Sequence, residues 1–126
     1  MQRGFILLML ITLLPVHAVD FAKDIQPFLK NKCSHCHSGD KRKGGFSIDS
    51  REDFLKGGET GPVVVEGKGA KSLLIERVTS SNPDKRMPAK GKPLTPEQID
   101  LLRAWIDGGL AWPKSFRAPM APRKVE

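Results

Sequence analysis

Two cysteines and a histidine are grouped in the segment Cys33-Ser34-His35-Cys36-His37. If this segment continues a helix, Cys33 and Cys36 are three residues apart and His37 is four residues from Cys33. Both thiols and one imidazole then project from the same helical face. This spacing favours covalent attachment of a haem, with thioether bonds to Cys33 and Cys36 and with the iron bound on its proximal side by His37.

Three other chemistries of paired cysteines compete with this interpretation. A zinc site needs two further ligands, but the chain has only two cysteines, and its histidines are His17, His35 and His37. A redox-active pair is typical of a βαβ context, and no strand pattern precedes Cys33. A disulfide between Cys33 and Cys36 closes too small a loop to stabilise the fold much. The spacing therefore favours haem attachment.

The face of the iron opposite His37 either has a second ligand or stays open. His35 belongs to the same motif and cannot reach that face. We favour Met87 because it lies in a non-helical loop that prolines and glycines constrain. Met120, a lysine and an open position remain alternatives. Ligation by histidine and methionine raises the reduction potential relative to two nitrogen ligands and leaves no coordination position for a substrate.

The first helix has to deliver Cys33. Apolar residues from Val19 to Leu29 recur at steps of three and four, which predicts a helix over about 24–32, with an irregular turn before it as an alternative. Asp24 is the predicted N-cap, because Pro27 then falls in the first turn, where backbone N–H groups lack helical partners.

The clearest helix start lies further on, where residues 95–98 read Thr-Pro-Glu-Gln and predict a capping box. An apolar stripe follows, and Gly108 ends the predicted helix. We expect this stripe to belong to the core, with Trp105 packed against Phe28. Shorter helices are predicted after the N-cap residue Ser50 and over 70–79, and no sheet of any size is expected.

The ends of the chain differ from its middle. Residues 1–18 predict a secretory signal cut after Ala18, which indicates an exported, periplasmic protein, with a retained N-terminal anchor as the alternative. The apolar run over 5–14 is too short for an ordinary membrane span, so no span is expected in the mature chain. Residues 19–112 are predicted to form one domain and residues 113–126 a basic, proline-containing, disordered tail.

The mature chain has few aromatic residues and many glycines and prolines, so a haem would supply apolar volume that its side chains lack. The formal net charge is +7. Export and the absence of a recognition motif argue against nucleic acid as the partner. Basic residues flank both the cysteine motif and Met87. Either their charge steers the protein toward an acidic redox partner, or they are surface residues of solvated loops without such a role. These residues are Lys30, Lys32, Lys41, Arg42, Lys43, Lys85, Arg86, Lys90 and Lys92.

The order of these features resembles class I cytochrome c and, more closely, the planctomycete-type cytochrome c domain, over about residues 20–112. The resemblance implies haem c on Cys33 and Cys36, His37 as proximal ligand and Met87 as distal ligand. The segments that carry it are Phe21-Ala22-Lys23-Asp24-Ile25-Gln26-Pro27, Cys33-Ser34-His35-Cys36-His37, Gly44-Gly45-Phe46-Ser47-Ile48-Asp49, Lys56-Gly57-Gly58, Ser72-Leu73-Leu74-Ile75, Arg86-Met87-Pro88 and residues 101–109.

These observations predict a small all-α domain packed around one covalently bound haem. We expect a monomeric carrier of single electrons between exported redox partners, with catalysis left to those partners. A haem enzyme or a gas or redox sensor with a labile distal ligand is one alternative. A binding module without redox activity is the other.

Overall fold

The chain folds into short helices joined by glycine-rich and proline-rich loops, and the computed structural model describes residues 19–116. The predicted signal at 1–18 and the alternative ligand Met120 lie outside the described residues. The described part is mostly helical, as expected, and its one strand is the two-residue segment Lys41–Arg42. Within 19–116, no helix is both long enough and apolar enough to cross a membrane.

Residues 21–37 form one helical segment, which we call the N-terminal helix. Asp20 is its N-cap and accepts a hydrogen bond from the Lys23 N–H at 3.2 Å, so the predicted N-cap at Asp24 is wrong, whereas the irregular turn expected as an alternative is present at Phe21–Ile25. A wide, π-helical turn at Phe21–Ile25 precedes Pro27. It ends at Gln26, whose N–H donates to the carbonyl oxygen of Phe21, five residues earlier. The wide turn accommodates a proline that has no N–H to donate. The pieces of this helix are Phe21–Ile25, Gln26–Phe28, Leu29–Cys33 and Ser34–His37.

A tight antiparallel turn follows this helix and reverses the chain. His37 pairs with Arg42, and Ser38 pairs with Lys41. A single 3₁₀ turn at Lys43–Gly45 then leads into the buried residues 46–48. The chain therefore returns beside His37 shortly after leaving it.

Three further α-helices complete the described fold: Arg51–Lys56, Leu73–Thr79 and Pro96–Asp107. Ser50 and Thr95 cap the first and last of these helices, as predicted. The capping box is complete: the Gln98 N–H donates to the Thr95 hydroxyl, and the Gln98 side-chain oxygen accepts from the Thr95 N–H. The Leu73–Thr79 helix begins later than predicted, after a 3₁₀ turn at Gly69–Lys71.

Aromatic rings form the centre of the core. The Trp105 ring lies 5.8 Å from Phe21 and 5.4 Å from Phe54, so the N-terminal helix contributes Phe21 to this ring contact and not the predicted Phe28. Phe116 is also buried, and its ring lies 4.8 Å from that of Phe21. Residue 116 therefore packs against the core, and residues 117–126 of the predicted tail lie outside the described residues.

Candidate functional site

The last turn of the N-terminal helix carries both cysteines and His37. Helical structure is continuous through this segment, with Cys33 at the end of the wide π-helical piece Leu29–Cys33 and with Cys36 and His37 in the α-helical piece Ser34–His37. Both cysteines are free thiols and are partly exposed. The segment therefore offers two free thiols three residues apart, with the imidazole of His37 next to the second.

A backbone carbonyl fixes the imidazole of His37. Its Nδ1 lies 3.3 Å from the carbonyl oxygen of Phe46, and because a carbonyl only accepts, Nδ1 carries the proton. The Phe46 ring packs edge-on against the imidazole, with centroids 5.2 Å apart. The Ile48 N–H also donates to the His37 carbonyl at 2.8 Å. This arrangement leaves the lone pair of Nε2 available to a metal and sets the plane of the ring.

The surroundings of His37 favour the neutral form of its imidazole. Burial lowers the pKa of His37, and the positive charge of Lys43 lowers it further, whereas hydrogen bonds to the carbonyls of Phe46 and Lys43 partly oppose both effects. A neutral imidazole is the form that binds iron.

The thiol of Cys33 is held in its protonated form. Loss of hydration on burial, with a smaller contribution from Cys36, raises the pKa of the Cys33 thiol from 9.0 to about 12. A thiol of this kind is a poor nucleophile at neutral pH, which does not suit a redox-active cysteine pair.

The loop after His37 depends on one carboxylate that the sequence argument did not assign a role. Asp49 accepts hydrogen bonds from the Ser38 hydroxyl at 2.6 Å and from the Gly39 N–H at 3.0 Å. The Arg42 guanidinium also lies 3.7 Å from it. The Asp49 side chain is only 14% exposed, so these contacts tie residues 38–42 to the segment that supports His37. Its position after Phe46 and Ile48 is the only sequence signal for this role.

Met87 lies in the loop after the Leu73–Thr79 helix. Its N–H donates to the Arg77 carbonyl at 2.9 Å, which fixes its backbone at the end of that helix. Its side chain is 36% exposed, a high value for a large apolar residue. No contact in the described residues joins its sulfur to His37, so Met87 as distal ligand stays a prediction.

The donor set of these residues fits a haem. It comprises two thiols, an imidazole with a free Nε2 and an exposed thioether, and it includes one buried guanidinium nitrogen, Nε of Arg86, that has no hydrogen-bond partner. Cys33 is one of several partly buried side chains that pack against the hydrophobic core, and Leu74, Ile99 and Leu101 are others. The zinc alternative requires a group of at least three His, Cys, Asp or Glu side chains that could hold a metal ion. Within residues 19–116 there is no such group.

Two surface clefts of the described part, of about 640 and about 240 Å³, are lined by other residues. The first lies along Ser72, Ile75 and Arg103, and the second along Phe28, Asn31 and Leu101. Neither cleft includes the four predicted haem-binding residues.

Comparison with known proteins gives one family. The family described as planctomycete cytochrome C matches residues 33–91. The matched segment begins at Cys33 and includes Cys36, His37 and Met87. No curated protein and no solved structure matches the chain.

Proposed function

From the match of residues 33–91 to the planctomycete cytochrome c family, we propose that the chain is a mono-haem c-type cytochrome that carries single electrons. Cys33 and Cys36 form the two thioether bonds, His37 is the proximal ligand and Met87 is the distal ligand. The observation that carries the proposal is the 3.3 Å contact between Nδ1 of His37 and the Phe46 carbonyl, which leaves Nε2 free for iron.

Each residue has a separate part in this proposal. The haem, when bound, supplies an iron that alternates between the ferric and ferrous states. Cys33 and Cys36 hold the ring edge near the surface, where a partner can approach it. The Phe46 carbonyl keeps the imidazole of His37 in one orientation. Met87 fills the remaining iron position, so the chain transfers electrons and does not bind a substrate.

The surface charge supports an acidic redox partner. Lys41, Arg42 and Lys43 are exposed directly after the cysteine motif, and Lys85 and Lys90 are exposed around Met87. Positive charge near the exposed haem edge steers an acidic surface toward it, and this attraction weakens as salt is added. Partner proteins of this kind would donate and accept the electron.

The remaining proposals concern the cellular setting. The signal at residues 1–18 directs export to the periplasm, where haem c is attached and the electron partners lie. The mature chain acts as a monomer and uses no membrane span and no nucleic acid.

An optical spectrum tests this function. The full chain is expressed with a haem c maturation system, purified after export and measured oxidised and reduced, with and without carbon monoxide. We expect a covalently bound c-type haem, a methionine-to-iron charge-transfer band and no spectral shift with carbon monoxide. A ready shift would favour the enzyme or sensor alternative. Absence of covalent haem in protein exported from the maturation strain would contradict both. Cys36→Ala is the control and should leave single attachment and much less folded protein.

A further inference from the structure

Arg86 has a buried donor that nothing in the described structure satisfies. Its Nε is inaccessible to water and has no hydrogen-bond partner. In two other arginines the corresponding nitrogen has a hydrogen-bond partner: Nε of Arg42 donates to the Gly39 carbonyl at 3.1 Å, and Nε of Arg51 donates to the Leu110 carbonyl at 3.2 Å. A buried unpaired donor on a charged group is rare in folded proteins, and it indicates a missing acceptor.

The backbone around Arg86 is fixed. The Arg86 N–H donates to the Asn82 carbonyl and the Met87 N–H to the Arg77 carbonyl, both at 2.9 Å. The guanidinium therefore extends from an ordered position one residue before Met87. Lys85, its other neighbour, is exposed.

The acceptor does not come from the acidic residues of the described chain. The ion pairs within residues 19–116 join Arg42 to Asp49, Arg51 to Glu66 and Arg103 to Asp100, and none includes Arg86. The guanidinium is planar and suits a carboxylate, whose two oxygens can accept from it together. The missing partner therefore has the chemistry of a carboxylate on a bound molecule.

We propose that the Arg86 guanidinium binds a propionate carboxylate of the haem and so positions the haem beside the Met87 loop. This inference rests on the proposed function, since haem carries two such carboxylates. It makes Arg86 a positioning residue: it holds the haem edge on the methionine side, while Cys33 and Cys36 hold the other edge. Its positive charge also offsets the propionate charge close to the iron, which favours the ferrous state.

The test compares three variants of the full chain, each exported with covalent haem. Arg86→Gln removes the charge and the guanidinium, and Arg86→Lys keeps the charge. Lys85→Gln is the matched control, because it removes the same charge from the exposed neighbour. We expect Arg86→Gln to lower the reduction potential below both wild type and Lys85→Gln, and Arg86→Lys to restore part of the loss. Equal potentials for Arg86→Gln and Lys85→Gln would overturn the proposal.

A second measurement uses the wild-type protein and so does not depend on whether a variant folds. In reduced, ¹⁵N-labelled wild-type protein, we expect the Arg86 Nε proton to exchange slowly with water and to show a nuclear Overhauser effect to a propionate methylene. Fast exchange without this effect overturns the role of Arg86. Covalent haem without the contact overturns this inference alone, whereas absence of haem overturns the proposed function as well.

Discussion

The imidazole of His37 is held by the backbone of Phe46, nine residues further along the chain, through a contact of 3.3 Å between Nδ1 and the carbonyl oxygen. The Phe46 ring packs edge-on against the same imidazole and against Phe54, at 5.2 and 5.3 Å between centroids. One residue thus orients the proximal ligand with its carbonyl and connects that ligand to the aromatic core with its side chain.

Substitution of Phe46 should separate these two roles. Phe46→Ala keeps the backbone carbonyl and removes a ring that is only 8% exposed, so we expect it to lower the free energy of unfolding by about 3–5 kcal/mol. Denaturant unfolding followed by circular dichroism measures this. Val65→Ala, at a side chain that is 42% exposed, is the control and should change stability by less than about 0.5 kcal/mol. Equal effects of the two variants would mean that Phe46 does not support the core.

Asp49 should be important for the loop after His37. Asp49→Asn keeps the size of the side chain but removes the charge that accepts from Ser38 and Gly39, so we expect a loss of about 1.5–3 kcal/mol in unfolding free energy. Asp40→Asn makes the same chemical change at an exposed position nearby and should have little effect. Thermal and denaturant unfolding of both variants provide the comparison, and similar stabilities would contradict the role given to Asp49.

The raised pKa of the Cys33 thiol, about 12, predicts slow alkylation in the folded chain prepared without haem. At pH 8 such a thiol is ionised in only about one molecule in ten thousand, and the thiolate is the form that reacts. Burial favours the protonated thiol in the folded state, so this contribution to stability is complete below pH 9.0 and decreases as the pH rises toward 12.

Peptide mapping after iodoacetamide treatment should therefore show Cys33 reacting slowly, at a rate that rises about tenfold per pH unit with no plateau below pH 11. The same chain in urea is the matched control and should react at the rate of an ordinary thiol. Equal rates in the folded and urea-unfolded chain at pH 8 would contradict the burial of this sulfur.

Met87→Ala tests the proposed distal ligand separately from haem attachment. We expect the variant to keep covalent haem on Cys33 and Cys36, to lose the methionine-to-iron charge-transfer band completely, to bind carbon monoxide and to have a lower reduction potential. Met120→Ala, the other methionine of the mature chain, is the matched control and should retain the wild-type spectrum. Loss of the band in Met120→Ala instead would move the distal ligand to Met120.

Signals that act within one helical turn were predictable from the sequence alone. The capping box at Thr95 and the N-cap at Ser50 form as predicted, because their partners lie three residues away and need no other part of the fold. The helical continuation through Cys33 and His37 is equally local. The resemblance to the planctomycete cytochrome c family rests on the segments themselves and agrees with the family match over residues 33–91.

Contacts between distant segments were decided by the tertiary structure. The wide turn before Pro27 moves the helix start to Asp20, and the ring contact that Trp105 makes with the N-terminal helix is with Phe21 and not with the predicted Phe28. Residue type alone does not show that Asp49 supports the loop after His37 or that Nε of Arg86 has no partner, since both facts depend on which groups packing brings near them. Sequence periodicity indicates which side of a helix is apolar, but only packing of the whole chain selects the residues that meet across it.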